Sequence, residues 1–195
     1  VIVPAYKENT KGISCQNGEE DSKKIPIEDF YIAKPDVDTA DTINAALQSG
    51  KNLILTPGIY RIDKAIEVTN ADTVVLGLGY ATLEPTKGTE AMKIADVSGV
   101  RVAGLLFEAG TENSETLLRV GEDNASTEHA DNPVVLSDLF FRVGGANHTE
   151  KVSCDTCVMI NSDDVIGDNF WVWRADHGWD ASVGWDENIC YNGLI

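Results

Sequence analysis

Positive charge is scarce in this chain. Its 195 residues carry 15 Lys and Arg against 32 Asp and Glu, a formal net charge of −17. Such a surface repels nucleic acid and anionic membranes. The densest basic run is only Lys23–Lys24. Long apolar runs are missing too, so no segment suits a bilayer-crossing helix. The chain opens at Val1 without Met or a signal-peptide pattern, which reads as a processed product or an excerpt of a longer protein. Beyond residue 50 no segment has helical periodicity. No cofactor motif is present. EF-hand and nonapeptide calcium repeats are absent as well. The acidic residues Asp163, Asp164, Asp168, Asp180, Asp186 and Glu187 therefore read as a solvated face before they read as calcium ligands.

Cysteine is limited to Cys15, Cys154, Cys157 and Cys190. The Cys154–Cys157 spacing suits a redox motif or half a zinc site. A zinc site would need a second close pair, which is missing. A thioredoxin-type motif would open a helix, yet Val158-Met159-Ile160 reads as a strand. Disulfides formed in an oxidising compartment are the expectation, with the pairing open. Two glycosylation sequons, at Asn124 and Asn147, fall in polar segments and agree with an extracellular location.

What is present is a repeat. Residues 1–35 look irregular, an arm or linker with one strand near residues 25–32. Residues 38–47 then read as a short amphipathic helix with Asp38 or Thr39 as its cap, Ile43, Ala46 and Leu47 as its apolar face, and Gly50 as its stop. From there short apolar strands alternate with Gly, Asp, Ser or Asn corners. Copies begin near Val74, Val100, Val134 and Val158, a period of roughly 25–35 residues. This pattern predicts an all-β fold, a right-handed parallel β-helix over residues 36–195 of the pectin-lyase-like kind, with the helix as its N-terminal cap. A β-sandwich fits less well, because hairpin signals are scarce. Insertions leave the coil at residues 111–132 and 145–157. The segment at residues 192–195 looks like the start of a further strand. The β-helix is thus expected to be incomplete at that end, with more rungs on a continuation or a second chain.

All four tryptophans lie in one acidic stretch, residues 170–188. Flat rings beside carboxylates suit a sugar: rings stack on its C–H faces and carboxylates bond its hydroxyls. Trp179 and Trp185 sit in loop composition, where ligand contact is the commonest reason for an exposed tryptophan. Trp171 and Trp173 read equally as strand wall or glycan contact. Asp180 and Asp186, beside Trp179 and Trp185, are the next candidates for saccharide contacts. His129 and His148 read as solvated. Arg174 reads as a strand-holding residue.

The segments Gly77-Leu-Gly-Tyr-Ala-Thr-Leu-Glu-Pro85, Asp138-Leu-Phe-Phe-Arg-Val-Gly-Gly145 and Trp173-Arg-Ala-Asp-His-Gly178, with Val183-Gly-Trp185, resemble the catalytic β-helix of glycoside hydrolase family 87, the α-1,3-glucanases and mycodextranases. The resemblance implies an inverting hydrolase whose substrate is an α-glucan. It puts Asp176 on an acidic residue of the active site; His177, adjacent, reads equally as a contact to a sugar hydroxyl or to Asp176 and as a corner histidine bonding the backbone, and Trp173 is kept as a candidate substrate contact. Its other two aspartates would fall beyond Ile195. An inverting enzyme needs two carboxyl groups roughly 6.5–9.5 Å apart, and rungs stacked ~4.8 Å apart can supply them. Two other readings stay open: a non-catalytic structural or carbohydrate-binding glycoprotein, and a polysaccharide lyase of similar architecture.

Overall fold

The computed structural model describes residues 1–7, 22–145, 150–175 and 188–195. In chain order its elements are β1 (Ile2–Val3), β2 (Lys23–Lys24), β3 (Phe30–Ala33), helix α1 (Ala40–Gln48), β4 (Asn52–Leu55), β5 (Ile59–Ile62), β6 (Ile66–Val68) and β7 (Val74–Pro85). There follow β8 (Met92–Ile94), β9 (Arg101–Glu108), β10 (Ser114–Val120), β11 (Val134–Val143), β12 (Ser153–Ile160), β13 (Val165–Arg174) and β14 (Ile189–Leu194). Strands β3 to β14 pair in parallel, and they fall into two sheets. One sheet is ordered β14-β12-β10-β8-β6. The other is ordered β13-β11-β9-β7-β4-β3, with β5 also on β7. Each coil runs from the second sheet to the first and on to the next coil, which is the expected parallel β-helix.

Identical depths stack from coil to coil. On one face Leu53, Val75, Val102 and Leu136 lie in register and are buried. On the next, Tyr60, Leu83, Phe107 and Phe141 do the same, and the two phenylalanine rings stack with centroids 4.9 Å apart. On the third, Ile66, Met92, Leu118 and Val158 line up. Each such side chain contributes roughly 1.5–3 kcal/mol of burial. In the last coil the in-register residues are open: Val172 is 37% and Leu194 54% exposed.

The long strands of the second sheet bend between two of these faces. At the bend, Gly104, Asp138 and Asn169 have φ of 72°, 52° and 57°. A left-handed residue turns an L-chain sharply without a loop, and Gly, Asn and Asp tolerate it best. The Asn169 side-chain amide donates to the Asp138 carboxylate at 2.6 Å, tying neighbouring bends together. Gly77 and Gly104 face each other so closely that a Cβ on Gly77 would lie 2.4 Å from the Gly104 carbonyl oxygen.

Helix α1 packs on β6, β4 and β3 and closes one end of the coil. Thr39 is its cap, in a reciprocal pair with Thr42. Asp38 sits one residue earlier, accepting from the Lys34 amide, Thr42 and the Tyr31 hydroxyl. Ile43 and Leu47 point inward as expected, with Ala40 beside them, whereas Ala46 is only half-buried. Asn44 bonds the backbone of Ala65 and Glu67, satisfying groups that β6 would otherwise leave free on that side. The sheet takes in Phe30–Ala33, ahead of residue 36. Before it, β1 pairs with β2, and residues 1–7 lie across the outside of β7, β9, β11 and β13. Ile25, Phe30 and Val3 thereby cover the outward-facing Ile54, Val74 and Leu76. No described helix is long and apolar enough to cross a membrane.

Because residue 138 is held left-handed, Asp138→Val should cost about 1–3 kcal/mol in chemical denaturation. Asp138→Gly should cost much less, although both lose the Asn169 bond. Equal losses would show that the side-chain ladder, not the backbone bend, governs this corner.

Candidate glycan-binding face

Beyond the bend, strand alternation sends every second side chain outward. Leu106, Phe140 and Trp171 therefore form one outward row, and Glu108, Arg142 and Trp173 the next. Tyr80 extends the aromatic row, with its ring edge-on to Phe140 at 5.1 Å. Phe140 meets Trp171 at 6.1 Å, also edge-on. Trp171 and Trp173, two residues apart, lie flat against each other at 5.7 Å with 11° between their planes. Tyr80 and Trp171 are each 58% exposed. An exposed row of rings on a β-sheet face is an apolar surface that calls for a ligand or partner.

Charge borders the rings. Arg142 donates to Glu108 at 2.9 Å, and Arg61 pairs with Glu84 at 3.5 Å on the neighbouring coils. Both carboxylates are buried and paired with guanidinium groups. Two glycines make room beside this face, Gly145 for a ring and Gly144 for an amide. A Cβ on Gly145 would come within 3.0 Å of the Trp173 ring, and one on Gly144 within 2.1 Å of the Asn188 amide. Trp173 is half-buried in this seat.

Of the residues singled out from the sequence, Asp176, His177, Trp179, Asp180, Trp185, Asp186, Asn147, His148 and Cys15 lie outside the described residues. Asn124 is exposed at a turn with φ of 68°. Arg174 donates to the backbone carbonyl of Asn188 at 3.2 Å, so it fastens β13 to the start of β14 through a peptide group. Among the described residues no group of three acidic side chains gathers as a calcium site would. The disulfide expectation is corrected: Cys154, Cys157 and Cys190 are free thiols. The spacing showed only two of the cysteines that come together. A solenoid brings a third cysteine from the next coil, 33 residues away, so no second close pair is needed.

A parallel coil with stacked interior ladders and left-handed corners defines a pectate-lyase-like solenoid. Residues 30–195 match the family model of the LAM55 pectate lyase-like domain, and the chain belongs to that family. It is 50% identical, over 91% of its length, to an exo-beta-1,3-glucanase of Streptomyces sp. (strain SirexAA-E / ActE). It superposes on the structure of sacteLam55A from Streptomyces sp. SirexAA-E with a TM-score of 0.91 at 47% identity over 99% of the chain. A variant of sacteLam55A in complex with glucose gives the same TM-score at 48% identity. The chain spans 29% of the length of the glucanase and 34% of the solved chains. The resemblance to family 87 is thereby corrected to LAM55. The two quoted segments that are described in full, Gly77–Pro85 and Asp138–Gly145, combine strand with left-handed residues, the grammar of any stacked coil. They carry the fold and not the anomeric linkage of a substrate.

One cluster escaped the sequence reading. His129, expected to be solvated, has no exposed side-chain surface. Its Nε2 donates to Asp96 at 2.9 Å, because a carboxylate can only accept. Its Nδ1 pairs with the Ser98 hydroxyl at 2.8 Å, and its backbone amide donates to Asp164. Ser162 and the Ser126 and Thr127 amides also donate to Asp96. The residue types are those of an acyl-transfer triad, but the sealed imidazole leaves no place for a substrate. The network instead pins the insertion after β10 to two neighbouring corners. Nothing in the local sequence marks it, since Asp96 and its partner Ser162 are 66 residues apart.

Partial burial alone would favour the neutral acid at Asp96, yet the bonds from His129, Ser162 and Thr127 hold it well below the usual carboxylate range. A depressed folded pKa contributes stability above the unfolded value near 3.8 and loses it as pH falls toward the folded one. Asp96→Asn should therefore lower the urea midpoint at neutral pH, with the deficit shrinking as the pH drops below about 4. A deficit unchanged across that range would rule out the charged form as its source.

Proposed function

We propose that this chain is the β-helical, glycan-receiving part of a glycoside hydrolase acting on β-1,3-glucan. The observation that carries the reading is the outward row Tyr80, Phe140, Trp171 and Trp173. It leads along β13 to Ala175, directly before Asp176. Indole faces suit the C–H faces of pyranose rings, and stacking there excludes water without asking for a charge. The 50% identity to an exo-β-1,3-glucanase supports a β-1,3-linked substrate over the α-1,3-glucan that the sequence suggested.

The described carboxylates next to the rings are paired with Arg61 and Arg142. The chemistry falls to Asp176 and to residues of further coils. Asp176 serves as one of the two carboxyl groups that a glycosidase needs: an acid for the leaving oxygen, or a partner that activates water or attacks. His177, Trp179, Asp180, Trp185 and Asp186 belong to the same saccharide-contacting stretch. Additional rungs cover Val172 and Leu194 in the intact protein. Secretion, with a glycan at Asn124 or Asn147, suits an enzyme whose substrate is an extracellular polymer.

In the intact protein, Trp171→Ala and Trp173→Ala should each raise KM for soluble β-1,3-glucan about ten-fold, the equivalent of ~1.4 kcal/mol, with kcat little changed. Asp176→Asn should leave KM near its starting value and lower kcat by about 10²–10⁴. Full activity in Asp176→Asn would remove it from the mechanism. Hydrolysis of α-1,3-glucan in preference to β-1,3-glucan would overturn the substrate assignment.

A further inference from the structure

Cys154 and Cys157 lie on β12, and Cys190 lies directly opposite Cys154 on β14. Cys154 and Cys157 are wholly buried and Cys190 partly so. Cysteine in a core commonly behaves as a small apolar side chain, and these three do join the apolar interior. Packing alone, however, does not ask their sulfurs to converge. The three Sγ atoms form a nearly equilateral triangle with edges of 3.8, 3.8 and 3.5 Å. A disulfide would single out one pair and leave an odd thiol. A single central ligand uses all three edges alike.

The size of the triangle is informative. Thiolates bind zinc at ~2.3 Å, and at the tetrahedral angle their sulfurs then sit ~3.8 Å apart. The local backbone is shaped to match. Three consecutive residues of β12, Thr156, Cys157 and Val158, are buried, so strict alternation is broken there. That break turns the Cys157 sulfur toward the Cys154–Cys190 pair. Among the described residues this is the only group of three ligand-bearing side chains whose donor atoms lie within 4.8 Å of one another.

We propose that Cys154, Cys157 and Cys190 bind a single Zn²⁺ inside the coil, with the fourth position open to water or another donor. Binding replaces three S–H bonds by three Zn–S bonds and releases three protons to solvent, with no change of oxidation state. The ion would clamp β12 to β14, fixing the coil immediately below the Trp171–Trp173 face. The site is independent of the glucanase reading and makes no use of its residues.

The test is metal analysis of the intact protein, purified with reductant and dialysed against a weak chelator. About one zinc per chain is expected. Exchange for Co²⁺ should give intense sulfur-to-cobalt charge transfer in the near ultraviolet together with tetrahedral visible bands. Cys157→Ser and Cys190→Ser should each weaken or abolish both. Zinc should also shield three thiols from alkylation until a strong chelator is added. Since the cobalt spectrum and the alkylation count are read on the unaltered protein, a variant that fails to fold does not blunt the test. Absence of stoichiometric metal, a cobalt spectrum without thiolate bands, or a disulfide between two of the three cysteines would overturn the proposal.

Discussion

Register is the constraint on which the rest of this molecule depends. In a parallel coil each side chain sits above its counterpart in the coil below, and a slip of one residue would turn every buried row outward. Leu53, Val75, Val102 and Leu136 show how tightly the rule is kept: four residues from four coils, all without exposed surface. The same registration that builds the interior also builds the exterior. Phe140 and Trp171 are neighbours outside because Leu139 and Phe141 are locked inside. The aromatic face is thus the outer imprint of the core.

Much of this was legible in the sequence. Short apolar strands with polar corners announced stacking. The capped segment before Gly50 announced the helix, and of the two candidate caps, Asp38 and Thr39, it is Thr39 that caps. What could not be read were contacts between coils. His129 stands in a polar insertion and looks solvated until Asp96, Ser98 and Asp164 arrive from other corners. The cysteines are a parallel case. Cys154 and Cys157 reveal themselves by spacing, but Cys190 joins them only through the pairing of β12 with β14. Chain distance is a poor guide in a solenoid, where one full turn separates side chains that touch.

The choice between glucans was a different difficulty. Corners and ladders recur wherever chains coil, so segments such as residues 77–85 and 138–145 are shared by proteins that cut different bonds. Linkage is decided by where a few acids and rings stand relative to a sugar ring, and strand grammar is silent on that. Trp171 and Trp173 were ambiguous for a related reason. Alternation placed them on one side of β13 but did not say which; their exposure and their flat mutual stacking do.

The insertions have a consequence of their own. Residues 114–120 and 153–157 of the expected insertions are strand, in β10 and β12; between β10 and β11 extra residues do leave at a corner, yet strand registers on both sides of them are undisturbed. Length variation is thereby uncoupled from the scaffold. A lineage, or a protein engineer, can graft, shorten or exchange these excursions around the aromatic face while every strand keeps its partner, so new ligand preferences can be explored without renegotiating how the chain folds.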